Sequence, residues 1–167
     1  MKRKILKQEQ VPWEYICNKC YKRQGECDCG GSVLGLDPNI IEHIQLLQTR
    51  NYQTVGCCEG HVITYETAGG NIITMLSPLY ISLDNHSYED FKKEMVKNPK
   101  WKEYGFDLIE VKNLNRYQLV YKQAIKKAAD IYEDMQIKKK LILLNLRECI
   151  SSMDKRERVE PIITTSY

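Results

Sequence analysis

The residues with the clearest chemical potential form one short run, Cys57-Cys58-Glu59-Gly60-His61. Thiolate, carboxylate and imidazole groups bind metals and transfer protons, and Gly60 permits a sharp turn or the close approach of a ligand to the main chain. A turn that follows directly on a predicted strand is a common place for a site. The pattern therefore predicts a ligand-binding turn, whose candidate residues are Thr54, Cys57, Cys58, Glu59, Gly60, His61, Tyr80 and Ser82.

The same turn is compatible with three kinds of chemistry. Main-chain amides near Gly60, together with His61, would bind an anion. Alternatively, Cys58 would act as a nucleophile or a ligand with Glu59 or His61 as acid–base, although the sequence identifies no third orienting residue. Cys57, Cys58 and His61 could also bind a second metal, but successive side chains of a strand face opposite sides. We favour binding over catalysis.

Four further cysteines near the amino terminus have the spacing of a metal-binding knuckle. Cys17 and Cys20 form a Cys-x2-Cys pair, and Cys27 and Cys29 form a tighter Cys-x-Cys pair. Four thiolates can surround one tetrahedral zinc and leave no open position, which indicates a structural rather than a catalytic ion. The residues between the pairs offer little apolar surface, so the metal would stabilise this segment. Zinc is the cofactor that we expect.

Composition restricts the class of protein. The 167 residues are 43% hydrophobic and 28% charged, as in globular domains, and the length suits one domain with a small appendage. No apolar run is long enough to cross a bilayer, and no signal-peptide core follows the basic start of the chain. We therefore expect a cytoplasmic protein without a membrane partner. Thiols there stay reduced, and seven cysteines, an odd count, argue against a disulfide framework.

Hydrophobic periodicity predicts an α+β fold with a central mixed or antiparallel sheet and packed helices. A helix over residues 38–50 begins at Asp37-Pro38, and His43 is expected on its solvated face. Strands are predicted over residues 52–57, 61–67, 72–76 and 79–83, with Tyr80 and Ser82 opposite the buried Leu79, Ile81 and Leu83. A helix from Ser87 and a hairpin over residues 106–121 follow.

The carboxyl-terminal part of the chain predicts a long helix that starts near Lys122. Its apolar stripe is interrupted at residues 138–140, so one helix or two are compatible with the pattern. Residues 1–12 are expected to be frayed and residues 151–167 to form a polar tail. The predicted organisation is an arm and zinc knuckle over residues 1–32, an α/β domain over 33–150, and the tail over 151–167.

Charge is distributed unevenly. Residues 1–90 carry 8 basic and 11 acidic side chains, whereas residues 91–167 carry 17 basic and 11 acidic ones. This asymmetry suits an anionic partner but is also compatible with a lysine-rich solvated surface. The candidate nucleic-acid contacts are Lys122, Lys126, Lys127, Lys138, Lys139 and Lys140.

The cysteine knuckle and the central turn together resemble small proteins of bacteriophages and their Gram-positive hosts. These proteins often contain Gly-Tyr-x-Thr-x-x-Cys-Cys-x-Gly-His after a cysteine-rich knuckle, and the similarity covers about residues 15–83. The matching residues here are Tyr52, Thr54, Cys57, Cys58, Gly60 and His61. The resemblance implies a protein of the host cytoplasm with a role in counter-defence, through capture of a nucleotide-like ligand or contact with a host defence protein.

A more distant resemblance is to the methyltransferases of wybutosine synthesis, which modify a base in phenylalanine tRNA. Their turn reads approximately Thr-Thr-Ser-Ser-Cys-Ser-Gly-Arg, and Thr54, Cys58 and Gly60 match it. His61 stands where that family has arginine, so the resemblance implies a related fold and pocket more than the same activity. The alternatives to a ligand-binding protein are thus a tRNA- or nucleotide-modifying enzyme and a protein-binding zinc-knuckle adaptor.

Overall fold

The computed structural model of the chain describes residues 3–121, 125–126 and 132–157. Within these ranges the strands are β1 Lys4–Gln8, β2 Glu14–Cys17, β3 Val33–Leu36, β4 Thr54–Cys58, β5 Val62–Glu66, β6 Ile72–Leu76, β7 Leu79–Asp84, β8 Phe106–Val111, β9 Arg116–Tyr121 and β10 Ile125–Lys126. The α-helices are α1 Ile41–Thr49, α2 Tyr88–Lys97, α3 Lys100–Glu103 and α4 Tyr132–Ser151.

The strands form two four-stranded sheets and a separate hairpin. The first sheet has the order β1-β5-β6-β10, the second has the order β4-β7-β9-β8, and β2 pairs with β3. All of these pairs are antiparallel. The predicted α+β class, with antiparallel strands, packed helices and a carboxyl-terminal helix, is confirmed, although two sheets take the place of one central sheet.

Strand β7 fixes the second sheet on the hydrophobic core. Leu79, Ile81 and Leu83 are at most 1% exposed, as their alternation predicts. Helix α2 contributes Phe91 to the same core, where its ring packs against that of Trp101 with centroids 5.6 Å apart. The alternate residues Tyr80 and Ser82 lie on the other face of β7.

Helix α4 is continuous and packs against α1, α3, β5 and β6. Its buried face includes Met135, Ile142 and Leu146. The lysine run does not interrupt it because the middle residue, Lys139, turns inward and pairs with the carboxylate of Glu59. The sequence is compatible with one helix or two, and the described residues form one continuous helix.

The predicted start of this helix near Lys122 is wrong at residues 125–126. Ile125 and Lys126 form β10 and pair with Met75 and Thr74 of β6. Backbone hydrogen bonding to a sheet edge therefore decides their conformation, which the helical apolar stripe does not reveal. Lys122 itself lies outside the described residues.

Residues 4–8 of the amino-terminal segment form a strand rather than a frayed end. Strand β1 pairs with β5, and the guanidinium of Arg3 lies 4.9 Å from the ring centroid of Tyr65. All five side chains of β1 are exposed, so no burial pattern marks it in the sequence. The strand is held by main-chain bonds along the sheet edge.

His43 is buried, which contradicts its predicted solvated position. It is 4% exposed, and its Nε2 atom lies 2.7 Å from the carbonyl oxygen of Leu143 in α4. Burial lowers the pKa of His43, so the neutral imidazole donates this bond. The face of α1 that looks polar in the sequence is covered by a helix 100 residues later in the chain.

Structural elements lie at both predicted boundaries. The division at residue 32 separates β2 from its partner β3, so the hairpin straddles it. The predicted tail begins at the last residue of α4, Ser151, and Met153 beyond the helix is 5% exposed. The side chain of Asn51 donates to the carbonyl oxygen of Arg156 at 2.6 Å, which holds this segment on the domain. Residues 158–167 lie outside the described part of the chain.

Candidate functional site

The hairpin β2–β3 positions the four amino-terminal cysteines. Cys17 ends β2, and Cys20, Cys27 and Cys29 lie in the connection to β3. Their sulfur atoms all lie within 4.8 Å of one another, with Cys17–Cys29 at 3.3 Å and Cys27–Cys29 at 3.7 Å. A tetrahedral zinc with Zn–S bonds of about 2.3 Å requires sulfurs about 3.8 Å apart. These four cysteines could therefore hold one metal ion.

The backbone around these thiols favours the ionised form at one of them. Main-chain N–H groups of Cys20 and Lys19 donate to the sulfur of Cys17 and lower its pKa to about 6. A hydrogen bond with the thiol of Cys20 raises the pKa of Cys27 to about 12. Within the cluster, Cys17 therefore loses its proton more readily than Cys27, because the Cys17 thiolate accepts hydrogen bonds from its neighbours.

Local backbone geometry closes the knuckle tightly. Tyr21 and Gly30 directly follow the first and the second cysteine pair. Their positive φ angles of 60° and 72° turn the chain at these two points. Gly31 leaves no room for a side chain, because a Cβ there would overlap the sulfur of Cys17. Tyr21 is 8% exposed, and its carbonyl oxygen accepts a bond from Gln45 of α1. The knuckle is thereby attached to the domain.

The central turn separates the two adjacent cysteines. Cys57 lies opposite Ile81 and packs against the hydrophobic core, and burial raises its pKa to about 12. Cys58 lies opposite Tyr80 on the other face of the second sheet. Both of these residues are partly exposed. Only Cys58 of this pair is therefore placed beside the turn residues that follow.

Cys58 lies in a cluster with His61 and Asp37. One ligand atom from each of these residues lies within 4.8 Å of the others, and His61 Nε2 is 3.5 Å from Asp37 Oδ2. Burial raises the pKa of Cys58, and the N–H of Gly60 donates to its sulfur. Asp37 stands at the predicted start of a helix, but its side chain makes no cap bond and instead accepts from the Glu59 N–H at 3.1 Å.

Glu59 faces inward rather than toward a ligand. Its side chain is fully buried and binds Lys139 Nζ at 2.6 Å. Asn39 donates to the same carboxylate through its backbone N–H at 2.8 Å and its side-chain amide at 3.0 Å. Lys139 also contacts Glu9 at 3.0 Å, and Glu9 accepts from the Val62 N–H at 3.1 Å. This buried network links the turn to α4, to Glu9 directly after β1 and to the segment directly before α1.

The inward position of Lys139 corrects its assignment as a nucleic-acid contact. The side chain is 3% exposed and paired with two carboxylates, so its charge is not offered to a partner. Lys138 is partly exposed and Lys140 is exposed. Lys122, Lys127 and the side chain of Lys126 lie outside the described residues.

Of the remaining predicted site residues, Gly60 and Tyr80 lie at the turn, whereas Thr54 and Ser82 do not. Gly60 has φ of 80°, and a Cβ there would meet the Ser77 carbonyl oxygen at 2.8 Å, so this glycine shapes the turn. Tyr80 lies beside the cluster. Ser82 is 2% exposed and accepts from Gln118 at 3.0 Å, and Thr54 begins β4 opposite Leu83. Thr54 lies four residues from Cys58, which is about 13 Å along a strand. The structure therefore does not bring Thr54 and Ser82 to the turn.

A cleft lies next to the buried network. It has a volume of about 500 Å³ and lies between α1 and α4, beside Asn39 and Lys139. Its rim carries Lys140, and Arg147, which pairs with Glu42 at 2.7 Å. The lining residues are far apart in the chain, so no local sequence signal marks the cleft. Its size is in the range of small-molecule sites.

No α-helix among the described residues has both the length and the apolar composition needed to cross a bilayer. No protein-family model, curated protein or solved structure matches the chain.

Proposed function

We propose that this chain is a zinc-containing binding protein, in which Cys17, Cys20, Cys27 and Cys29 hold one structural zinc. The observation that carries the proposal is the mutual proximity of the four sulfurs, within 4.8 Å. Four thiolates complete a tetrahedral coordination sphere, so this ion has no free position for catalysis. Its role is to hold the connection between β2 and β3, which has few buried side chains of its own.

The partner-binding role belongs to the partly exposed end of the second sheet. Tyr80, opposite Cys58, offers an aromatic surface for stacking a base, and the His61 side chain is 24% exposed. These features favour an anionic, nucleotide-like ligand, with a tRNA-like nucleic acid or a host defence protein as alternative partners. A counter-defence role rests on the resemblance to phage proteins.

Binding is favoured over catalysis by the positions of the acid–base residues. Glu59 is fully buried and paired with Lys139, so it is not available for proton transfer to a bound ligand. His61 Nε2 is directed toward Asp37 rather than toward an external substrate. A thiol with a raised pKa, such as Cys58, is also a weak nucleophile at neutral pH.

Zinc counting tests the knuckle. We expect a Cys17→Ser, Cys27→Ser double variant to contain one zinc ion less per chain than the unmodified protein, as measured by native mass spectrometry. Cys149→Ala is the matched control, because this cysteine is buried in the core and far from the cluster in sequence. Unchanged zinc content in the double variant would contradict the proposal.

Ligand retention tests the turn. Protein purified from its own host should retain a small anionic molecule, and His61→Ala should lose it with little change in melting temperature. His86→Ala is the control, because His86 is exposed and lies on a different segment. Equal retention of the molecule by both variants would exclude His61 from the binding site.

A further inference from the structure

The zinc proposed for the knuckle does not account for a second cluster of possible metal ligands, Asp37, Cys58 and His61. The three ligand atoms of this cluster come from two segments, the loop before α1 and the turn after β4, and all lie within 4.8 Å of one another. We propose that these residues form a second metal site, for a zinc-like divalent cation with an open coordination position. This proposal does not depend on the nature of any ligand bound at the turn.

The donor set matches a borderline-soft divalent ion. One thiolate, one imidazole and one carboxylate are the three ligand types that zinc takes in proteins. Zinc bonds of about 2.0–2.2 Å to nitrogen and oxygen place those two atoms about 3.4 Å apart in a tetrahedron. The observed distance from His61 Nε2 to Asp37 Oδ2 is 3.5 Å, so little movement is needed.

Neighbouring hydrogen bonds hold the two segments in register. Asn39 of the first segment binds the Glu59 carboxylate of the second through two bonds, at 2.8 Å and 3.0 Å. In return, the Glu59 N–H donates to Asp37 at 3.1 Å, and the Gly60 N–H donates to the sulfur of Cys58. Bonds of this kind orient metal ligands and preorganise a site. Glu59 therefore helps to position the cluster, although its carboxylate is not one of the proposed metal ligands.

The charge balance of the region favours a cation. In the described ranges the side chains of Asp37, Glu59 and Glu9 are at most 16% exposed; the ammonium of Lys139 pairs with Glu59 and Glu9, whereas Asp37 lies 3.5 Å from His61 Nε2. Uncompensated buried charge is costly. A divalent ion at Asp37 and Cys58 would offset part of this negative charge, because the Cys58 thiol releases its proton on binding and the net gain is one positive charge.

The site has an entrance and an available fourth position. The side chain of His61 is 24% exposed, and Cys58 and the adjacent Tyr80 are partly exposed as well. Three protein ligands leave one position for water or a ligand atom, as in catalytic rather than structural zinc sites. Cys57 is not part of this set because it packs against the core. Asp37 therefore takes its place in the trio of Cys57, Cys58 and His61 that the sequence suggests.

Metal content of the full-length protein, loaded with Zn²⁺ and freed of excess metal, tests the proposal. We expect about two zinc ions per chain in the unmodified protein and about one in Cys58→Ala and in His61→Ala. Cys57→Ser is the matched control and should keep both ions. One ion in the unmodified protein, with no loss in His61→Ala, would overturn the second site.

A second measurement needs no variant. X-ray absorption at the zinc edge should contain imidazole scattering, because the knuckle has only sulfur ligands and an imidazole can come only from a second site. A purely sulfur environment would overturn the proposal even if the variants failed to fold. The two sites are distinguishable, since loss of the knuckle zinc in Cys17→Ser, Cys27→Ser leaves the imidazole signal in place.

Discussion

At the scale of single residues, Lys139 and Glu59 form a buried ion pair that no local sequence pattern indicates. Each is a charged residue type that is rarely fully buried without a partner. Here they are buried together, at 3% and 0% exposure, and their contact joins α4 to the central turn. The pair therefore links the stability of the fold to the geometry of the candidate metal site.

Removing Lys139 should destabilise the protein strongly. Lys139→Ala leaves the Glu59 carboxylate buried without its cation, which typically costs about 3–5 kcal/mol. Chemical denaturation measures this change in the free energy of unfolding. Lys140→Ala, at an exposed neighbouring position, is the control and should remain within about 0.5 kcal/mol. Equal losses in the two variants would contradict the buried pair.

Gly60 allows a test that separates backbone strain from collision. Gly60 and Gly70 have nearly the same positive φ, 80° and 79°, but a Cβ at Gly60 would meet the Ser77 carbonyl oxygen at 2.8 Å. A Cβ at Gly70 meets no described atom within 4 Å. Both alanine variants should lose about 1 kcal/mol from strain, and Gly60→Ala should lose more.

Thermal and denaturant unfolding of the two glycine variants give the comparison. Equal stability of Gly60→Ala and Gly70→Ala would mean that the turn has room for a side chain. Loss of metal in Gly60→Ala alone would in addition connect the turn geometry to the second site.

At the scale of elements, the knuckle differs from the rest of the chain because residues 22–26 are exposed and its four cysteines could hold one metal ion. Trp13 and Val33, at the two ends of the hairpin, are 65% and 54% exposed, and Ile16 is the residue of β2 that reaches the core most completely. Sequence segments with so little buried apolar surface do not order by themselves.

Removal of metal with a chelator should therefore loosen the knuckle before the sheets. We expect faster amide hydrogen exchange at Cys17 and Asn18, whose N–H groups bond to Lys22 and Ser32. Strand β9, in the middle of the second sheet, should keep its protection. Equal protection of Cys17 and Asn18 with and without chelator would contradict a structural metal.

At the scale of the whole molecule, one hydrophobic core connects both sheets, the hairpin and the helices. Ile16, Val62, Ile81 and Leu146 belong to the same cluster although they come from four different elements. Helix α4 contacts the first sheet and also α1 and α3. Unfolding of the domain should consequently be cooperative.

Leu146→Ala tests this connection. Leu146 is fully buried, and truncation of such a leucine typically costs about 2–5 kcal/mol. Leu144→Ala is the control, because Leu144 lies on the same helix but is 61% exposed. The loss should appear equally in probes of both sheets. A transition confined to one sheet would show that the two sheets unfold separately.

The sequence by itself determined the local structure and the knuckle. The strands predicted over residues 61–67 and 72–76, the alternation at residues 79–83 and the four cysteines of the knuckle are local patterns, because period and ligand spacing act over a few residues. These are the features whose predicted positions agree with the structure.

The tertiary structure alone decided which distant residues meet. Asp37 reaches Cys58 across 21 positions and Lys139 reaches Glu59 across 80, so no periodicity encodes either contact. The same holds for His43 beneath α4 and for β1 on the sheet edge. Burial of a charge or a histidine depends on what packs over it, and that is settled only when elements from distant parts of the chain come together.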